Sequence, residues 1–471
     1  MNFRKIAIVL LFILLTIYCT AISHRFVARM EGIDLKTARD FERDGFDIAS
    51  FNPGKYLDLV LNEEQYKKLK KLYPRIHLLV TEEDLKSNLT QKSKDIPGYH
   101  TYDDVLNLVM TLQQTYPGLL RIESIGDSWG KIYYENGQTN YENYQHDILA
   151  IMLSSNADQD EDKPAFYFMG AHHAREPIST EVCLEILTHL LLGYNTDPRI
   201  TDIVNSSEIW FFPIVNPDGH KVVLDQTDIW WRKNIRDNNL NNAFDYNTYG
   251  YGLDGVDLNR NYGYEWGYTS STDDITHPTY HGPEPFSEPE TIAIRDFLQT
   301  RHFIAGITYH SYGELVLHPY GYIHDLYAPD ATELSALGSL MASSIPSQDS
   351  GVYTASPSWG LYPAAGSTDD WAYGMHGIFS YTIELATQFI PPAAQVPVIC
   401  QNNLEAAKLL LERKNRAMLT GHIIDAGTNQ PLAATVYIPE IDDNMLDRAA
   451  YRSNLEFGTY YRFLPVGLHS L

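Results

Sequence analysis

Apolar residues recur along this chain with two different periods, and the changes of period mark its elements. Between Phe41 and Leu85, Phe46-Asp47-Ile48-Ala49 and Tyr56 to Leu61 alternate as strands do. Asn62 to Leu72 has helical spacing, and Ile76 to Val80 is a further strand, so the segment is a small α+β module. The polar stretch Lys86 to Asp95 reads as an exposed linker of the kind proteases cut. A helix is predicted from Tyr102 to Tyr116, stopped by Pro117-Gly118, and a strand from Leu119 to Ile125. Ala165 to Met169 is a buried strand, followed by a turn over Gly170 to Pro177 and an amphipathic helix carrying Ile178, Val182, Cys183, Ile186, Leu187 and Leu190. Ile209 to Val215 is a strand running into the turn sequence Asn216-Pro217-Asp218-Gly219, and Phe303 to Tyr309 a strand ending at His310. Ser287-Glu288-Pro289-Glu290 reads as a capping box for a helix to Leu298, and the last long helix as Leu404 to Lys414. Strands alternating with helices predict an α/β domain whose sites lie at strand ends. From about Met418 the texture changes. Leu419 to Asp425 and Ala433 to Ile438 alternate around the turn Gly427 to Pro431, a small β module that breaks off near Gly467 at what reads as the start of another strand.

Composition narrows the class. With 471 residues, 44% of them hydrophobic, the chain can bury a large core. Its formal charge of -25 repels nucleic acid and anionic lipid and favours cationic peptides. Cys19, Cys183 and Cys400 are too few for a disulfide framework. Met1-Asn2-Phe3-Arg4-Lys5 followed by the apolar run Ile6 to Tyr18 has the form of a secretory signal peptide, the run being short of the ~20 residues of a span. The expected organisation is residues 1–23 signal peptide, 24–97 pro-region and linker, 98–416 catalytic domain and 417–471 β module. The protein is expected outside the cytoplasm, secreted or periplasmic, as a monomer.

Three patterns carry candidate chemistry. Gly126-Asp127-Ser128-Trp129-Gly130 matches the nucleophile elbow of serine hydrolases, which requires a helix after the serine; Lys131 to Gly137 reads instead as a hairpin, which disfavours that chemistry. The acidic run Asp158 to Asp162 could hold a structural Ca2+, with a solvated loop as the simpler reading. His173 and Glu176, three apart in a turn at a strand end, suit a zinc ion, which needs a third protein ligand and an open position.

His173-Ala174-Arg175-Glu176, Asn216-Pro217-Asp218-Gly219, Trp231-Arg232-Lys233, Asp257-Leu258-Asn259-Arg260-Asn261, His310-Ser311-Tyr312, Tyr362 with Asp369-Asp370-Trp371, and Glu384 occur in that order. Together they resemble the zinc metallocarboxypeptidases of the pancreatic A/B and bacterial T type over roughly residues 98 to 415. The resemblance implies a mixed, largely parallel sheet flanked by helices. It implies one Zn2+ per chain on His173, Glu176 and His310, with Asp257 orienting His173 through its second ring nitrogen. It further implies Glu384 as general base and Arg232 as oxyanion stabiliser. Asn259, Arg260 and Tyr362 would clamp the substrate's terminal carboxylate, and Arg175 and Tyr312 would touch the substrate further inward. The substrate is then a peptide or protein with a free C-terminus. The N-terminal module resembles the family's inhibitory pro-region, released by an activating protease, and the last module its transthyretin-like β domain. The family's disulfide near Asp254 has no counterpart here.

By the same resemblance Asp369 lies at the base of the pocket for the final side chain, where a carboxylate favours C-terminal Lys or Arg, with Gly321 and Ala364 leaving space. Asp369 turned aside to bond backbone or Thr368 would leave a broad pocket. The alternatives are a broad-specificity or peptidoglycan-peptide carboxypeptidase and an inactive secreted binding protein; the latter predicts a lost ligand or base, and none is lost. His172, His277, His281 and His318 have no assigned role.

Overall fold

The structure, a computed structural model, describes residues 24–90, 98–247, 250–443, 448–467 and 469–470. The signal-peptide expectation and residues 91–97 of the expected linker lie outside the described residues. Among the described residues no helix is long and apolar enough to cross a membrane.

The N-terminal strands are β1 (Arg25–Glu31), β2 (Asp47–Asn52), β3 (Tyr56–Asn62) and β4 (His77–Thr81), an antiparallel sheet in the order β2-β3-β1-β4. Asn62 caps the helix Glu63–Leu72 in a reciprocal capping box with Gln65. The module's core of Leu57, Leu59, Leu61 and Phe51 continues into Leu315, Leu317 and Leu361 of the main domain, so the two parts share apolar surface. The expected linker is corrected here. Its first part is the helix Glu82–Thr90, because Asn88 and Leu89 find burial against the main domain and Asn88 Nδ2 donates to Ile390 O at 2.8 Å.

The central sheet comprises β5 (Leu120–Asp127), β6 (Asp147–Leu153), β7 (Ala165–Met169), β8 (Glu208–Phe212), β9 (Phe303–Ser311), β10 (Leu315–His318), β11 (Thr354–Pro357) and β12 (Phe379–Leu385). Its order is β11-β10-β12-β9-β7-β8-β6-β5, and β12, β9, β7 and β8 run parallel. These four are buried almost throughout, as expected of parallel strands at the centre of a sheet. Cys183 lies in that core, as its helical spacing predicts, and both Cys183 and Cys400 are free thiols.

Four local expectations are corrected. After Ser128 comes the helix Trp129–Glu135 rather than a hairpin, because the Ser128 hydroxyl caps it at Lys131 N. Asn216-Pro217-Asp218-Gly219 opens the helix Pro217–Leu224, with Asn216 as cap and Pro217 in the first turn. At Ser287 no capping box forms. Its hydroxyl donates to Glu288 Oε1 at 2.6 Å, and the helix Pro289–Leu298 starts without a side-chain cap. The last long helix is Val396–Leu411, since Val396, Ile399 and Cys400 extend its buried face backward.

In the last module β13 (Met418–His422) pairs antiparallel with β14 (Thr459–Phe463). Ala433 to Ile438 is not a strand of this sheet and touches Arg452 through a single bridge at Thr435; the expected strand near Gly467 is likewise absent among the described residues. Phe463 packs edge-on against Phe379, and Asp162 accepts hydrogen bonds from Thr459 and the Tyr461 hydroxyl. Asp160 pairs with Arg121 at 2.8 Å. The acidic run expected as a solvated loop is in part the seat of this module.

Candidate active site

Three adjacent parallel strands deliver the site. The turn after β7 carries His173 and Glu176, β9 carries His310 next to its end, and β12 carries Glu384 directly beside His310 in the parallel register. In such a pair the two side chains leave the sheet on one face, so register alone sets the acid next to the imidazole. The site therefore opens at the carboxyl ends of the strands.

The turn after β7 is held from below. Gly170 is required because a Cβ there would come within 2.7 Å of Pro213 O and 2.8 Å of Ser179 O. Asn216 N donates to Ala171 O, Asn216 Nδ2 to His172 O and Lys233 O, and Ala174 N to Arg232 O. His173 and Glu176 thus stand on a tightly bonded loop.

His173 Nδ1 lies 2.8 Å from Glu176 Oε1, His310 Nδ1 3.0 Å from Glu176 Oε2, and the two Nδ1 atoms 3.0 Å from each other. All three side chains are buried. Two imidazole nitrogens facing one another beside a carboxylate, with one donor atom from each residue within 4.8 Å of the others, form a donor set suited to zinc. Asp257 Oδ1 stands 3.3 Å from His173 Nε2, while its Oδ2 accepts from Arg232 Nε at 2.8 Å. Burial would raise the Asp257 carboxyl, but the Arg232 and His173 charges hold it well below the usual range. Arg232 Nη1 reaches within 3.7 Å of Glu176 Oε1.

Glu384 keeps partial exposure to the cleft. Burial pushes its carboxyl up to about 8, with the Glu176 charge adding to the rise and His310 and Arg232 opposing it. Arg232, Arg260 and Tyr362 line a cavity of about 760 Å3, and Glu42 and Asp47 of the N-terminal module line it as well. Arg260 is held by Ser270 O at 2.9 Å and Asn259 O at 2.8 Å. Asn259 Oδ1 accepts from Thr368 N at 2.9 Å and Thr368 Oγ1 at 3.0 Å.

Arg175 and Tyr312 face the N-terminal module. Asp47 grips Arg175 through both carboxylate oxygens, at 2.6 and 2.8 Å, and the Tyr312 hydroxyl donates to Asp58 Oδ2 at 2.9 Å. Asp58 is itself held by Arg29. Asp47 and Asp58 are the contacts to this region that sequence reading missed. They sit in an alternating strand pattern, where a buried aspartate gives no signal until its partner domain is in place.

Asp369 is buried and accepts from Ser358 Oγ at 2.9 Å, Thr382 Oγ1 at 3.3 Å and the backbone Asp370 N at 3.0 Å, so the backbone bond of the broad-pocket alternative is present while the bond to Thr368 is not. It has no ion pair among the described residues. A Cβ at Gly321 would meet Ser358 Cβ at 2.9 Å, so a side chain there would press on the residue that holds Asp369. Ser128 is not set up as a nucleophile. Its hydroxyl donates to Asp218 Oδ1 at 2.9 Å, and that same oxygen, not the serine, meets His146 Nδ1 at 2.7 Å.

Comparison with known proteins gives the same direction. Residues 105–406 match the family model described as zinc carboxypeptidase. The chain is 32% identical over 342 residues to a zinc carboxypeptidase of Saccharothrix mutabilis subsp. capreolus, covering 68% of this chain and 71% of that one. It is 28% identical over 326 residues to carboxypeptidase B of Astacus astacus, covering 67% and 97%. In fold it is similar to the crystal structure of carboxypeptidase A from Helicoverpa armigera, with a TM-score of 0.68 at 23% identity over 83% of this chain and 97% of that one.

Proposed function

The chain belongs to the zinc carboxypeptidase family and is a zinc metallocarboxypeptidase acting on peptides, and from that premise we propose that His173, Glu176 and His310 hold one zinc ion per chain. The observation that carries this is the convergence of their three donor atoms beside Glu384. Zinc, when bound, supplies a Lewis acid that polarises a carbonyl and acidifies water.

Glu384 takes the proton from the attacking water and passes it to the leaving amine nitrogen, tasks that its place beside His310 at the cleft suits. Arg232, fixed by Asp257, offers its guanidinium to the oxygen that gains negative charge. Asn259, Arg260 and Tyr362 receive the terminal carboxylate, with guanidinium and carboxylate matching in shape. Asp257 aligns His173.

The N-terminal module acts as a built-in inhibitor, because Asp47 and Asp58 occupy Arg175 and Tyr312, the groups that would otherwise meet the substrate. A protease cutting within residues 91–97 releases it. The segment 1–23 directs export, so the enzyme works as a secreted or periplasmic monomer. Asp369, buried without a cationic partner, favours C-terminal Lys or Arg.

Purified protein should contain one zinc per chain, and His310→Ala should lose both metal and turnover. Peptides ending in Arg should exceed those ending in Phe in kcat/KM, and Asp369→Ile should erase the difference. A ratio near or below one in the parent enzyme excludes the basic preference.

A further inference from the structure

His172 is buried and belongs to neither the metal donor set nor the substrate cavity, yet polar groups meet it on both sides. Its Nδ1 lies 3.2 Å from Thr308 Oγ1, and the same hydroxyl lies 3.2 Å from His310 Nε2. Its Nε2 lies 3.1 Å from Thr368 Oγ1 and 3.1 Å from the Tyr262 hydroxyl. Thr368 Oγ1 in turn contacts Asn259 Oδ1 at 3.0 Å. An unbroken polar chain thus runs from His310 to Asn259.

The proton positions along it follow from one requirement. His310 presents Nδ1 to Glu176 and His173, so that nitrogen must be bare to bind metal, and its proton sits on Nε2. Nε2–H donates to Thr308 Oγ1, whose own proton turns to His172 Nδ1. His172 therefore carries its proton on Nε2 and donates it to Thr368 Oγ1. The Thr368 hydroxyl donates onward to Asn259 Oδ1, which also accepts from Thr368 N at 2.9 Å. With two donors on its oxygen, Asn259 is fixed in the orientation that leaves its amide NH2 as the end available to an incoming anion.

We propose that His172 is a positioning residue that joins the zinc site to recognition of the substrate's terminal carboxylate, setting the tautomer of His310 at one end and the amide orientation of Asn259 at the other. The second half rests on the proposed role of Asn259 in receiving that carboxylate. A neutral imidazole suits the place because it is rigid and has one donor and one acceptor on opposite sides.

The test measures both ends on the full chain. Zinc affinity is read by competition with a chelator and by the visible spectrum of the cobalt-loaded protein; KM for a blocked dipeptide is read after limited trypsin treatment. Thr368→Val, which removes one hydroxyl next to Asn259, should weaken zinc binding about tenfold and shift the cobalt spectrum, as outer partners of metal ligands do. It should also raise KM about tenfold. His172→Phe should do the same, His172→Gln, which keeps a donor and an acceptor, should recover most of both, and His172→Phe with Thr368→Val should be no worse than either alone. Should His172→Phe fail to fold, Thr368→Val and His172→Gln still decide. Unchanged zinc affinity in Thr368→Val, or fully additive losses, overturns the relay. An Asn259→Ala variant with unchanged KM would instead reject the carboxylate role of Asn259, while the zinc readout continues to judge the chain from His310 to Thr368.

Discussion

At the scale of single residues, chemistry here is set by what each side chain is forced to stand next to. Glu384 lies on an otherwise buried strand, where a carboxylate is costly unless it has a task, and parallel register places it beside His310. Glu384→Gln should retain zinc, measured by metal analysis, and lose about 10²–10⁴-fold in kcat, the span typical of general acid–base groups. An unchanged rate would assign the proton transfer to another group. The motif residues His173, Glu176, His310 and Arg232 were legible because their types and order match a known chemistry. Asp47, Asp58 and Thr368 were not, since each acts through a partner more than a hundred positions away.

At the scale of elements, the turn after β7 depends on Asn216 more than on its own residues. Asn216 caps the helix Pro217–Leu224 at Gly219 N and also holds His172 O and Lys233 O. Asn216→Ala removes the cap and strands two buried carbonyls, at a cost of about 2–4 kcal/mol. Urea unfolding should show that loss as a lower midpoint with an unchanged slope; a change within error would make the network incidental. The four-residue string around Asn216 reads as a turn because asparagine, proline and glycine favour both turns and helix starts, and only the packing of the residues after Gly219 separates the two. A related ambiguity hid the helix after Ser128, where aromatic residues suggest a strand until the Ser128 cap selects the helix.

At the scale of the whole molecule, the N-terminal module is joined to the main domain by a shared apolar cluster and by the Asp47–Arg175 and Asp58–Tyr312 contacts. Burial pushes the Asp47 carboxyl up from 3.8, but the Arg175 charge and hydrogen bonds outweigh this and set it at about 2. For a depressed acid, the stabilisation is complete above the unfolded value of 3.8 and is lost as pH falls through about 2. The gap corresponds to about 2 kcal/mol. The stability difference between the parent chain and Asp47→Asn should therefore be largest above pH 4 and fade toward pH 2, measured by denaturant titration at each pH. The intact Asp47→Asn chain should also hydrolyse peptides faster than the intact parent; equal rates would leave the module an accessory rather than an inhibitor. What the sequence determined by itself was the α/β class and the strand ends where the candidate site lies, because hydrophobic period is a local property, and the order of its motifs carried the resemblance that proposes metal donors, base and oxyanion group. Only the tertiary structure decided that Asp47 and Asp58 cover Arg175 and Tyr312, that Asp162 seats the last module, and that His172 stands between His310 and Asn259. Those contacts join segments far apart in the chain, and no local pattern encodes which distant group will share a buried polar bond.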